Sequence, residues 1–131
     1  MGKFSNPAGP SQRQLRAGEL IRHALAEIFL RGETGDPELE RLTPSVVEVQ
    51  MSPDLKIATA FARTILAGKE QLLLEALNRN RKYIRGLAAK KLDMKFTPEI
   101  RFRIDTALDY VGKIEEILRS PEVARDLKRE D

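Results

Sequence analysis

The chain has 131 residues, a formal net charge of +3, 41% hydrophobic residues and no cysteine. This length suits one domain able to bury its own core, and the absence of cysteine excludes disulfides and thiolate metal sites and suits a reducing compartment. No apolar run approaches the roughly 20 residues that cross a bilayer, and MGKFSNPAGP lacks a signal-type apolar core, so a soluble, cytoplasmic protein without membrane contact is expected.

Residues 1–10, with glycines and two prolines among small polar residues, are predicted to form a disordered N-terminal arm. Ser11 with Gln14 three residues on has the form of a capping box. After it, Ala17, Leu20, Ile21, Ala24, Leu25 and Ile28 build one apolar helical face that Gly32 and Gly35 end. The lone His23 falls off that stripe and is expected to face solvent, with no role. Asp36-Pro37 opens a polar connection that runs to Thr43-Pro44. The period then becomes alternating: Val47, Val49 and Met51 share a face, Ser52-Pro53-Asp54 fits a turn, and Leu55 to Ile65 reads as a second strand. In that strand Leu55, Ile57, Thr59, Phe61 and Ile65 lie on one face. Ala58, Ala60 and Ala62 line the other, leaving a smooth surface for close helix packing.

Beyond Gly68 a helix begins at Glu70 and leads into NRNRKYIRGLAAKKLDMK, residues 78–95. Leu77, Ile84, Leu87, Ala88 and Leu92 recur there at helical spacing, but residues 78–82 are all polar or charged. This gap in the apolar stripe predicts two short helices meeting at a kink. Thr97-Pro98 ends the second of them. From Glu99 to Asp105, Ile100, Phe102 and Ile104 point one way and Arg101 and Arg103 the other, which predicts a third strand. Thr106 with Asp109 resembles a cap for a last amphipathic helix carrying Leu108, Val111, Ile114, Ile117 and Leu118, and Ser120-Pro121 opens a mobile tail over 120–131. The predicted order is helix, strand, strand, helix, kink, helix, strand, helix. Its simplest packing is an α+β two-layer domain over 11–119, with a three-stranded sheet covered by helices on one face.

Catalytic signatures are scarce. Without Cys and with one isolated His, neither a thiol nucleophile nor a His-based triad is available. Gly68-Lys69 lacks the upstream glycine of a phosphate-binding loop. Glu115 and Glu116 diverge on a helix, and Asp105 and Asp109 fit capping better than acid/base work. The chain is therefore not expected to be an enzyme. Charge is more informative: between Ala76 and Arg103 nine Lys or Arg stand against Asp93 and Glu99, a local balance of +7 that leaves −4 for the rest of a +3 chain. A basic centre in an otherwise acidic chain fits a polyanion whose phosphates it neutralises, and a solvated basic helix without a partner is the other reading.

The runs DPELERLTPSVVEVQMSPDLKIATAFARTI and EALNRNRKYIRGLAAKKLDMKFTPEIRFRIDTALD resemble the ribosome-binding factor A family, bacterial small-subunit assembly factors, over about Gln14 to Leu118. The most telling pieces are Asp36-Pro37, VEVQMSPDL across the turn, Tyr83-Ile84-Arg85, and Thr97-Pro98-Glu99-Ile100-Arg101-Phe102. The resemblance implies a type II KH-like fold and no enzymatic activity, cofactor or small-molecule substrate. It further implies binding to the immature small ribosomal subunit and its rRNA and a part in late maturation and rRNA processing, above all in the cold; a monomer is expected. The residues expected to meet RNA are Arg79, Arg81, Lys82, Arg85, Lys90, Lys91, Lys95, Arg101 and Arg103. The alternative is a protein-interaction module that meets the ribosome or another acidic partner without touching RNA. One departure stands out: where the family carries alanine-any-glycine at the kink, this chain has Asn80, Arg81 and Lys82. The bend must form without glycine, and Asn80 is the residue best able to take unusual backbone angles.

Overall fold

The computed structural model describes residues 9–106. The predicted last helix, the C-terminal tail and all but the end of the N-terminal arm lie outside the described residues. Within them the elements run α1 (Gln12–Leu30), α2 (Pro37–Arg41), β1 (Ser45–Met51), β2 (Ile57–Arg63), α3 (Glu70–Arg79), α4 (Arg81–Lys91) and β3 (Glu99–Ile104).

The capping box forms as expected: the Gln14 N–H donates to Ser11 Oγ at 3.2 Å and the Ser11 N–H to Gln14 Oε1 at 2.8 Å. Gln14 also donates through Nε2 to the Met51 carbonyl at 2.9 Å, tying the start of α1 to the end of β1. At the other end Gly32, with φ +62°, closes the helix, as the Glu33 N–H reaches Ile28 O and the Gly32 N–H reaches Phe29 O. The buried stripe of α1 differs from the predicted one by one exchange. Gly18 is buried and Leu20 is half exposed, because the centre of the stripe runs through Ile21 and Ile28, and Leu20 sits about 100° away from it. His23 faces solvent.

The connection after Asp36 is a short helix and not merely a polar loop. Pro37 takes its first position and the Asp36 carboxylate caps it, accepting from the Glu38 N–H at 3.0 Å and the Leu39 N–H at 3.3 Å. This seats Leu39 in the core.

β1 pairs antiparallel with β2, and β2 pairs parallel with β3, giving the order β1-β2-β3. A bulge between Val46 and Glu48 shifts the register, so Val46 is buried and Val47 is only partly so, contrary to a strict alternation through Val47. β2 is also shorter than predicted at both ends. Leu55 adopts φ +61° to close the turn, where the Ser52 hydroxyl and the Lys56 N–H both donate to Asp54 Oδ1. Beyond Arg63 the Thr64 hydroxyl donates to Leu42 O and turns the chain away, leaving Ile65 82% exposed.

The alanine face of β2 carries the core. Ala58, Ala60 and Ala62 are fully buried, flanked in register by Val46, Val49 and Met51 of β1 and by Ile100, Phe102 and Ile104 of β3. Side chains this small let α1, α3 and α4 lie close on one side of the sheet, where Ile21, Leu25, Ile28, Leu73, Leu77 and Ile84 fill the space between the layers. The other face is mixed: Ile57 sits opposite Glu99, Thr59 opposite Arg101, and Phe61 opposite Arg103.

Candidate nucleic-acid interface

The gap in the apolar stripe is a real break. Asn80 serves both as C-cap of α3, its N–H donating to Ala76 O at 3.2 Å, and as the residue that opens α4, its carbonyl accepting the Ile84 N–H at 2.8 Å. Its backbone sits at φ −99°, ψ 7°, in the bridge region open to ordinary residues, so the bend requires neither glycine nor the left-handed conformation expected of Asn80. The side chain holds the geometry instead. Asn80 Nδ2 donates to Ala76 O and to Asp36 Oδ2, each at 2.8 Å. Asp36 thus caps α2 with one oxygen and grips the α3–α4 junction with the other. Donation from Asn80, then from Arg79, then from the Leu39 N–H, holds its carboxyl well below the usual carboxylate range.

The nine predicted cations divide according to what they touch. Arg79 is committed to the junction, with Nη2 2.9 Å from Asp36 Oδ2 and 2.8 Å from Glu38 Oε1. Arg85 reaches across to the segment before β3, donating to Pro98 O at 3.0 Å and Thr97 O at 2.5 Å. Lys91 bridges α4 to α1 through Glu27 at 3.2 Å and to the turn after α1 through Glu33 at 3.0 Å, and Arg101 pairs with Glu99 of its own strand at 2.6 Å. These contacts raise the Lys91 pKa, chiefly through Glu33, and lower that of Glu99, chiefly through Arg101. Arg81, Lys82, Lys90, Lys95 and Arg103 make no hydrogen bond or ion pair among the described residues. Lys90 and Lys91 also stand in the last turn of α4, where a cation complements the helix dipole.

Arg81 heads two neighbouring clefts on the β3 side of the molecule. One, of about 690 Å³, is lined by Lys56, Ile57, Arg81, Lys82, Arg85, Phe96, Glu99 and Ile100. The other is lined by Thr59, Asn78, Arg81, Arg101, Phe102 and Arg103. The structure thereby gathers Arg81, Lys82, Arg85, Arg101 and Arg103 on adjoining surfaces, while Lys90 and Lys95 line neither cleft. Two lining residues escaped the sequence reading. Lys56 arrives from the hairpin because Ile57 pairs with Glu99, a long-range register that charge spacing does not reveal. Phe96 had a visible signal, an aromatic in a polar loop next to Lys95.

No group of three or more His, Cys, Asp or Glu among the described residues could hold a metal ion, and none of the described helices is long and apolar enough to cross a membrane.

Comparison with known proteins agrees with this architecture. The family model for ribosome-binding factor A matches residues 13–118. The chain is 50% identical over 127 residues to ribosome-binding factor A of Methylobacterium sp. (strain 4-46), covering 97% of this chain and 91% of that one. It is 53% identical over 124 residues to the same factor of Brucella abortus (strain 2308), covering 94% and 83%. Among solved structures, ribosome-binding factor A from Thermus thermophilus superposes with a TM-score of 0.58 at 23% identity, covering 70% of this chain and 94% of that one. A homology model of the Thermus thermophilus factor, fitted into the cryo-EM map of a 30S–RbfA complex, gives a TM-score of 0.54 at 24% identity, covering 68% and 91%. With helices on one face of a mixed three-stranded sheet and a bent helix pair before the last strand, the fold is type II KH-like, and the chain belongs to the ribosome-binding factor A family.

Proposed function

We propose that this chain binds the immature small ribosomal subunit and its rRNA, holds that rRNA by phosphate contacts and shape, and assists late maturation and rRNA processing before leaving. It acts as a cytoplasmic monomer and catalyses no chemical step. The observation that carries this reading is the set of cations left without partners around the α3–α4 junction, Arg81, Lys82 and Arg103, beside clefts that Arg85 and Arg101 help to line. Cations whose side chains make no ion pair stay available to neutralise phosphates and release their counterions. Relatives half identical to this chain carry the name ribosome-binding factor, and a structural neighbour is fitted to a 30S complex, which supports the small subunit as the partner.

The test is co-sedimentation of a triple variant, Arg81→Glu, Lys82→Glu and Arg103→Glu, with small subunits. The side chains at these three positions make no hydrogen bond or ion pair among the described residues, so the circular dichroism spectrum should be unchanged while co-sedimentation is lost. Undiminished sedimentation would sink the assignment of this face. A salt series on naked rRNA separates direct RNA contact from docking through a protein: affinity should fall steeply with salt, and removing a phosphate contact should lower the log–log slope by about 0.7. A chain acting only through a protein partner would show no such binding.

A further inference from the structure

We propose that Phe96 is a stacking platform for one unpaired rRNA base, which enters the cleft between the start of α4 and the start of β3 while its flanking phosphates rest on Arg81 and Lys82. The proposal rests on the RNA-binding reading above and adds the state of the ligand: single-stranded at this point, with a base turned inward.

Phe96 and Tyr83 are the two aromatic side chains among the described residues that are more than half exposed, each at 56%. Phe96 lines the cleft together with Ile57, Arg81 and Lys82. Its exposure is built in. The guanidinium of Arg85 pins the carbonyls of Thr97 and Pro98, directly after it, and the Glu99 N–H is fixed to Lys56 O at 2.9 Å. Pro98 and Ile100 already fill the adjacent core. The backbone directly after the ring is therefore fixed and the adjacent core is already filled, which keeps the ring at the surface.

The chemistry of the lining selects a base over a phosphate. An aromatic face and Ile57 offer a base stacking and apolar contact and offer an anion nothing, and Glu99, paired with Arg101 through one oxygen, keeps the other to accept from an exocyclic amine. The cations that also line the cleft, Arg81, Lys82 and Lys56, suit the backbone on either side and argue against an apolar protein segment as occupant. A base within a duplex has both faces stacked and cannot lie on Phe96, so the site reads unpaired RNA.

The experiment measures binding of the full chain to a short single-stranded oligoadenylate carrying one fluorescent adenine analogue, and to a fully paired RNA hairpin. With wild-type protein the analogue should be quenched on binding. Phe96→Ala should abolish the quenching and weaken single-strand binding by about 5- to 150-fold, the range that loss of one stacked base implies. It should leave the salt slope and hairpin binding unchanged, since no charge is removed, and Phe96→Trp should restore quenching. Salt-dependent binding that Phe96→Ala leaves intact would overturn the stacking site alone. Equal losses for paired and unpaired RNA, or no rescue by Trp, would do the same. No RNA binding by the wild-type chain would overturn the RNA-binding reading, and the stacking site with it.

Discussion

An alanine at position 18 would place its Cβ 2.5 Å from the carbonyl oxygen of Val49, where ordinary contact begins near 3.4 Å, so α1 would have to retreat from β1 by about an ångström. A gap of that size forfeits roughly a quarter to a half of the dispersion well for the atoms that line it. Forcing extra volume into a packed core costs about 1–3 kcal/mol, whereas Gly to Ala inside a helix gains only about 0.8–1.0 kcal/mol, so Gly18→Ala should be neutral to about 2 kcal/mol less stable. Gly86 in α4 is the internal control. Nothing lies within 4 Å of a Cβ built there, so Gly86→Ala keeps the propensity gain and should be about 1 kcal/mol more stable. Thermal unfolding followed by circular dichroism reads the contrast, with each kcal/mol shifting Tm by about 4–8 °C in a domain near 100 residues. If Gly18→Ala stabilises the chain as much as Gly86→Ala does, the close approach of α1 to β1 is not a determinant of the packing.

The junction makes three further predictions. Asp36 has a depressed pKa in the folded state, so the unfolded chain binds more protons. Its contribution is complete above the unfolded Asp pKa of about 3.9 and is lost as pH falls through the lower folded value. Asp36→Asn should therefore lower Tm at neutral pH and flatten the loss of stability on acidification below about pH 4, whereas an unchanged acid profile would remove Asp36 from its place as the grip on the kink. Asn80→Ala should also lower Tm, and Asn80→Gly should rescue nothing, because a negative φ at this residue gives glycine no advantage; recovery of the wild-type Tm by glycine would contradict the observed backbone. Arg85→Ala should cost about 1–3 kcal/mol in urea unfolding by removing charge-assisted bonds to the carbonyls of Thr97 and Pro98, and Arg85→Lys should recover only part of it, since an ammonium does not reproduce a two-pronged donor. Undiminished stability in Arg85→Ala would return Arg85 to the free cations.

Much of the fold was legible because burial leaves a period in the chain. The 3.6-residue spacing in α1, the alternation in β3 and the run of alternating alanines in β2 each name a buried face without reference to any other element. The exceptions are positions where a neighbour overrode local pattern. The bulge at Val46 to Glu48 and the left-handed Leu55 alter strand register to fit turn and sheet geometry. Asp36-Pro37 carried a helix-start signal, but α2 is held in place by contacts with α3 that lie far along the chain.

The candidate site was legible only in outline. The sequence by itself determined that positive charge concentrates around residues 79–103 and that the helix there must break, since charge and apolar spacing are properties of the local chain. Only the tertiary structure decided which of those charges remain available. Arg79 meets an acid 43 residues away, and Lys91 one 64 residues away, so their neutralisation depends on how helices pack and not on what stands beside them in the chain. The same packing brings Lys56 and Phe96 to the cleft headed by Arg81. Electrostatic and stacking interactions act over a few ångströms in space, and spacing along the sequence does not record those distances.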